Sequence, residues 1–353
     1  MLSADLLKDA ERQLVVCNAC RYCEGYCAVF PAMELRTSFE KKDLVYLANL
    51  CFECRDCYYA CPFIPPHQFA INIPKVLAEV RTATYREYTG PALVGRWLRS
   101  TRAVAAALVL VALVLVFALQ GPGVVFTPQT SFYAVVPFLA MVLPAGALLL
   151  YSAAVLSIGS ARFWRETGTV MDVPAFLKAT KDAFGLTYLQ GGGAGCAYPG
   201  EEYGHARRRF HHLVFWGFLL DLASTLVAAV YNDVLGWVAP YPLLSVPVVL
   251  GTVGGVMLVV GCVGLLGLKA RSDRVPADRA MVAMDTAFLA LLLATSVTGL
   301  LLLVLRDTAA MGTLLTVHLG IVAGLFLTLP YGKFAHAVFR YAALVRNALE
   351  QRA

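Results

Sequence analysis

Six long apolar stretches dominate the chain beyond its first hundred residues, at roughly 103–119, 132–158, 213–231, 243–268, 281–304 and 313–332. Each is near the ~20 residues a helix needs to cross a bilayer, and each is apolar all round, whereas a surface helix keeps a polar side. The pattern predicts six transmembrane helices. Residues 1–90 read differently. Leu2, Leu6, Leu7 and Leu14 suggest a short amphipathic helix, and Leu44, Leu47 and Leu50 recur at helical spacing beside Glu40, Lys41, Lys42 and Asp43. The Pro-rich segment 62–69 reads as extended, and 74–90 as a helix leading to the bilayer. Nothing in this region alternates with period two. The expected fold class is all-α, a polar helical domain (1–90) followed by a six-helix transmembrane bundle (91–353).

Composition sharpens this. Of 353 residues 59% are apolar and only 15% charged, so most of the chain belongs in lipid. The first residues are charged and then rich in cysteine rather than apolar, so residues 1–90 are expected to stay on the side where the chain is made. Lys and Arg crowd three connections: 159–212 (Arg162, Arg165, Lys178, Lys181, Arg207, Arg208, Arg209), 269–280 (Lys269, Arg271, Arg274, Arg279) and the tail (Lys333, Arg340, Arg346, Arg352). The other connections hold only Arg306. By the positive-inside rule both termini are cytoplasmic, in the inner membrane of a prokaryote. The net charge of +6 implies no nucleic-acid partner, because the basic residues border the spans.

Eight of the ten cysteines fall in two runs of one spacing: Cys17, Cys20, Cys23, Cys27 and Cys51, Cys54, Cys57, Cys61, with Pro62 after the second. Each reads C-x2-C-x2-C-x3-C, the bacterial ferredoxin run for 4Fe–4S clusters, in which the fourth cysteine ligates the other cluster. The expected sets are Cys17, Cys20, Cys23 with Cys61, and Cys51, Cys54, Cys57 with Cys27. Zinc knots normally take paired CxxC motifs, often with His, and dense disulfides belong to small secreted domains. The N-terminal domain is therefore expected to be an α-helical ferredoxin-like unit carrying two clusters, in a reducing compartment. With both clusters complete, His67 is expected to be a surface or cluster-shell residue.

Ionisable residues at a span are functional candidates. His318 and His336 lie 18 residues apart, five turns, and so would share one face of a continuous sixth helix roughly 27 Å apart, too far to ligate one iron. His336 and the pair His211/His212 lie at one depth, at the cytoplasmic ends of different helices, as a bundle holds a b-type haem. Only one of His211 and His212 can face inward. His211, about 80° from Asp221 where His212 is about 180° away, is the favoured one. Arg207, Arg208, Arg209 and Lys333 are candidates for pairing with propionates. His318, with Asp221, is a candidate quinone site or else a histidine satisfied by neighbouring hydroxyls. The stretch 191–202, GGGAGCAYPGEE, lacks the GK[ST] ending of a phosphate loop and reads as a flexible cap near the clusters or the haem edge, with Cys196 unliganded. Cys262 reads as packing.

The doubled cysteine run, Gly191-Gly-Gly-Ala-Gly-Cys-Ala-Tyr-Pro, Arg207-Arg-Arg-Phe-His-His, His318 and Leu329-Pro-Tyr-Gly-Lys-Phe-Ala-His336 together resemble the tricarballylate/citrate utilisation protein B family over essentially the whole chain. The resemblance implies a membrane protein with two 4Fe–4S clusters and haem. It would reoxidise the FADH2 of a partner FAD-dependent dehydrogenase, of tricarballylate type, and pass the electrons to quinone. The last four spans are also similar to cytochrome b subunits of nitrate reductase and heterodisulfide reductase, whose histidines lie at two depths. Here His318 has no outer-half partner, so one haem is expected rather than two. The resulting expectation is an electron-transfer subunit, not a stand-alone substrate-converting enzyme. Rivals are a quinone-linked subunit of another dehydrogenase or disulfide reductase, and a tricarboxylate transporter with a redox-sensing head. The spans lack the paired broken helices and mid-depth cations a transporter would use.

Overall fold

A computed structural model describes the chain apart from residues 1, 91–94, 96, 99, 100, 122–126, 129, 130, 169, 171 and 353. The cluster domain is built from α1 (Ala4–Cys20), α2 (Val29–Glu34), α3 (Lys41–Leu50), the single turn α4 (Asp56–Tyr59) and α5 (Ile73–Tyr88). Local chemistry starts these helices where they start. Ser3 accepts from the Leu6 amide at the head of α1, Glu40 and Asp43 form a capping box on α3, and Asn72 caps α5 with Pro74 in its first turn. Residues 62–69 are not extended. They fold as successive turns, with the His67 amide bonded to the Ile64 carbonyl and the Ala70 amide to that of His67.

The remaining helices are α6 (Thr101–Gln120), the turn α7 (Phe132–Val135), α8 (Phe138–Thr167), α9 (Val173–Gly185), α10 (Ala206–Asp233), α11 (Val246–Ala270), α12 (Arg279–Val304), α13 (Met311–Thr328) and α14 (Ala335–Glu350). Six stretches are long and apolar enough to span: α6, α8, α10, α11, α12 and Met311–Glu350. Two differ from the sequence expectation. Pro137 opens α8, which therefore starts later than 132 and runs on to Thr167. The last stretch is broken: a 3-10 turn at Leu329–Tyr331 and an extended Gly332 separate α13 from α14. Pro330 cannot continue the ladder of backbone bonds, and the chain re-enters an α-helix only at Ala335. His318 and His336 therefore do not share one helix face, and the five-turn arithmetic does not apply.

Small residues let the spanning helices close up. A Cβ on Gly217 of α10 would lie 2.8 Å from the Gly254 carbonyl of α11, and one on Gly320 of α13 would lie 2.6 Å from Val109 Cα of α6. Neighbours in sequence are neighbours in space from α10 to α13, while α6 and α8 pack on α13 and α8 also reaches α14. Among the described residues the only strands are β1 (Cys196–Ala197) and β2 (Tyr203–Gly204), a two-residue antiparallel ladder.

The cluster domain and the membrane helices share one core. Leu47, Leu77 and Tyr85 belong to the same buried set as Phe163, Ala179, Cys196 and Phe339. Tyr85 stacks on Phe339 of α14 at 5.5 Å, and Phe339 meets Phe163 of α8 at 5.6 Å. The basic connections carry the rest of the joint. Arg55 donates to Ser272 Oγ (2.8 Å), Tyr59 to Asp273 Oδ2 (3.2 Å) and Thr82 to Asp278 Oδ2 (3.1 Å). The segments 186–205 and 271–278 and α14 thus lie on the same side as the cysteine runs.

Candidate functional site

Three backbone positions turn the cysteine runs inward. Arg21, between Cys20 and Cys23, ends α1 at φ 55°, and Glu53 and Arg55 sit at φ 56° and 72° around Cys54. Left-handed conformations at non-glycine residues are uncommon. Here they point successive thiols to one side. One cavity is lined by Cys17, Cys20, Cys23 and Cys61, the four expected to form the first set, together with Cys57 of the second. Its other walls are Val16, Tyr22, Phe30, Pro62, Phe63, Ile71 and Ile73. In the second set, Cys54 lies beside Cys27, and Cys57 lies within electrostatic reach of Cys51 and Cys54. Among the described residues no three Cys, His, Asp or Glu side chains gather tightly enough for a single ion. Around the first set the thiols line a cavity instead.

Burial, with the neighbouring thiols, pushes Cys17 and Cys23 up to about 12, and burial raises Cys51, Cys57 and Cys61 as well. Left to itself the pocket keeps its thiols protonated. Only a metal would make them thiolates, so loading would release protons. The amides of Glu53 and Phe63 donate to Cys51 Sγ (3.4 Å) and Cys61 Sγ (3.3 Å), the kind of outer contact that tunes a cluster.

The glycine loop is not a flexible cap. Gly191 lies against the Asp56 carboxylate, where no Cβ fits, and its φ is 55°. The Ala197 amide donates to Asp56 Oδ1 at 2.8 Å, and Gly192 abuts the Gly25 carbonyl. The loop therefore bolts onto both cysteine runs, and Cys51 and Cys54 of the second are buried. Asp56 is fully buried, and that burial raises its pKa. Cys196 is also fully buried, its thiol against the Leu189 carbonyl (3.3 Å). His67 accepts from the Phe69 amide (3.1 Å) and stands edge-on to Phe63. Cys262 is packed in the apolar cluster of α11 and α12.

Of the four membrane-half histidines the structure brings two together. The rings of His211 on α10 and His336 on α14 lie with centroids 6.2 Å apart and planes at 83°. His336 Nδ1 lies 2.6 Å from the Lys333 carbonyl, which can only accept, so the proton is on Nδ1 and the Nε2 lone pair is free. His211 Nδ1 is buried without a hydrogen-bond partner, a state that asks for a reason. Two metal–nitrogen bonds of about 2 Å, plus about 1 Å from each nitrogen to its ring centre, would set two imidazoles on one metal about 6 Å apart. The spacing of His211 and His336 would suit a metal-centred group held between them. α10 packs along α11 but has no extended packing against α13 or α14, and of its residues only Gly217 is buried by protein. Phe218 of α10 and Phe288 of α12 both contact Phe334, just before α14.

His212 points to the other flank, beside the backbone of Phe184 and Gly185. His318 is satisfied: its Nδ1 pairs with Thr298 Oγ1 at 2.9 Å, next to Gly299. Asp221 lies over Gly254 of α11 instead. The structure does not join these two as a quinone-binding pair. Three of the four expected propionate partners are also engaged elsewhere. Arg207 donates to the Glu53 carbonyl (2.6 Å), Arg208 to the Gly185 carbonyl (2.7 Å), and Lys333 pairs with Asp285 (2.7 Å); Arg209 is exposed. Asp285 is a residue the sequence reading passed over. It bridges Lys269 and Lys333, each at 2.7 Å, and an acid inside an apolar span was the available signal. Arg340 was missed too. It donates to the carbonyls of Cys51 (2.8 Å) and Asn49 (3.3 Å), one turn after His336 on α14, and so ties the second cysteine run to the paired histidines.

Fold and site together define an all-helical membrane protein with a ferredoxin-type cysteine domain built into its transmembrane bundle. Residues 96–353 match the family described as Citrate utilization protein B, and residues 10–87 match its Fer4-like domain. Citrate utilization protein B of Escherichia coli is 46% identical over 351 residues, 98% of this chain and 92% of that protein. No solved structure matches. The chain belongs to the citrate utilization protein B family, and its Fer4-like domain is consistent with an iron–sulfur electron-transfer role.

Proposed function

We propose that the protein carries electrons from the reduced flavin of a partner dehydrogenase, of the tricarballylate type, to the quinone pool of a prokaryotic inner membrane. The cluster domain and both termini would be cytoplasmic, a placement the Lys and Arg distribution supports. Cys17, Cys20, Cys23 and Cys61 would hold one 4Fe–4S cluster, Cys51, Cys54, Cys57 and Cys27 the other, and His211 with His336 a b-type haem. Once bound, these groups supply one-electron carriage, which a two-electron flavin needs for stepwise oxidation. The chain's own residues fix position: the left-handed turns aim the thiols, the glycine loop excludes water, and Lys333 orients His336. The observation that carries the reading is the His211–His336 pair, its ring centroids 6.2 Å apart, with Arg340 of the same helix bonded to the carbonyl of Cys51.

Purified anaerobically, the protein is expected to contain about nine irons per chain, eight of them with matching sulfide, and to show a b-type α-band on reduction by dithionite. That band should vanish in His336→Ala and His211→Ala and persist in His212→Ala and His318→Ala. Zinc with negligible iron would overturn the reading. A band lost in His318→Ala but kept in His336→Ala would overturn the haem assignment.

A further inference from the structure

The two cysteine quartets differ in their surroundings, and the difference bears on the direction of flow. Around the first, the cavity wall contains no charged side chain. Cys20 is exposed, beside a Tyr22 that is 67% exposed. Around the second, four arginines converge. Arg55 and Arg81 are each 1% exposed, and both reach towards Glu53, at 3.9 and 3.8 Å. Arg207 donates to the Glu53 carbonyl and Arg340 to that of Cys51. Arg340 also lies 4.3 Å over the Phe52 ring, and among the described residues no carboxylate lies within ion-pair distance of it. The acids against these arginines are Glu53 and Asp56, with Asp285 already held between Lys269 and Lys333, so cations outnumber anions here. Buried charge left unbalanced is costly, and an anionic occupant would balance it.

We propose that these arginines, Arg340 foremost, hold the occupant of the second quartet at a higher reduction potential than that of the first. Electrons would then fall from the exposed quartet towards the membrane helices. This rests on the reading that both quartets hold clusters. Reduction adds one negative charge to a cluster, and a cation fixed nearby stabilises the added charge, just as an adjacent cation favours an ionised carboxylate. Deeper burial of the second quartet works the other way. Fixed cations at low effective dielectric outweigh it, because their attraction is least screened there. The step is a single-electron exchange, the first centre oxidised as the second is reduced, with no bond made and no proton moved.

The test is an EPR-monitored redox titration of the full-length protein in lipid nanodiscs, with the first quartet's signal assigned as the one Cys20→Ser perturbs. In the wild type the first quartet should be the last to reduce. Arg340→Gln should lower the potential of the second quartet alone, changing electron sharing between the two at least tenfold (about 59 mV for one electron), and Arg340→Lys should recover most of this. A wild type in which the second quartet reduces last would overturn the proposal, as would an Arg340→Gln that moves both signals equally or neither. If Arg340→Gln fails to assemble, the wild-type order still decides. Absence of any cluster signal in the wild type would instead overturn the reading beneath it.

Discussion

Arg36, Asp43, Arg346 and Glu350 form a ring of ion pairs around Tyr46, joining the second and third helices of the cluster domain to the end of α14. Arg36 holds Asp43 at 2.8 Å and Glu350 at 2.5 Å, Arg346 holds Glu350 at 3.0 Å and Asp43 at 3.3 Å, and both guanidinium groups lie over the Tyr46 ring. Burial opposes the charge on Arg36, yet Glu350 and Asp43 prevail and hold its pKa above the ordinary value. Glu350→Gln should cost about 2–4 kcal/mol, at the lower end if water reaches the site. Tyr46→Phe removes one hydrogen bond and should cost about 1 kcal/mol. Bleaching of the cluster absorbance on heating measures both. Equal damage from the two would show that the ring, not the charges, holds the latch. Little of this could be read from the chain alone. Asp43 and Glu350 stand 307 positions apart, and charges on amphipathic helices read as solvated. The cysteine runs stood out because they repeat one local spacing; ion pairs impose none.

At the level of elements, glycine did two jobs that the sequence did not separate. Gly191 is needed for contact, whereas Gly200 has ordinary φ and nothing within 4 Å of an added Cβ. Gly191→Ala should therefore push Asp56 and the loop outwards and speed loss of the second cluster in air several-fold, while Gly200→Ala leaves the rate unchanged. Following the visible absorbance after oxygen exposure distinguishes them, and equal rates would refute the lid. The break between α13 and α14 carried its signal in the open: Pro330 and Gly332 interrupt an otherwise apolar run. Hydropathy overrode it, because the surrounding residues stay apolar whether the helix continues or turns. The favoured choice of His211 over His212 rested on α10 being one unbroken helix, and α10 does run unbroken from Ala206 to Asp233. Helical arithmetic is reliable within an element and fails across its end.

For the molecule as a whole, the apolar spans and the polar head were plain from composition, but their joint was not. A chain of two compositions suggests two bodies; the structure has a single buried core running through both. Residues 1–90 expressed alone would expose Tyr46, Tyr85 and the other surfaces that α14, α8 and the glycine loop cover. Such a fragment should retain less than about a tenth of the iron that the full chain holds, measured after desalting; a stable, fully loaded fragment would contradict the shared core.

That core also sets an order of events during synthesis. α14 lies some 250 residues after α5, and at 5–20 residues per second the ribosome takes on the order of 10–50 s to make the intervening chain. Until then the cysteine cradle, which would hold the proposed clusters, lacks one wall. Cofactor delivery must therefore either wait for translation to finish or protect an unfinished site from air, and slow decoding late in the message should yield protein that is inserted but empty.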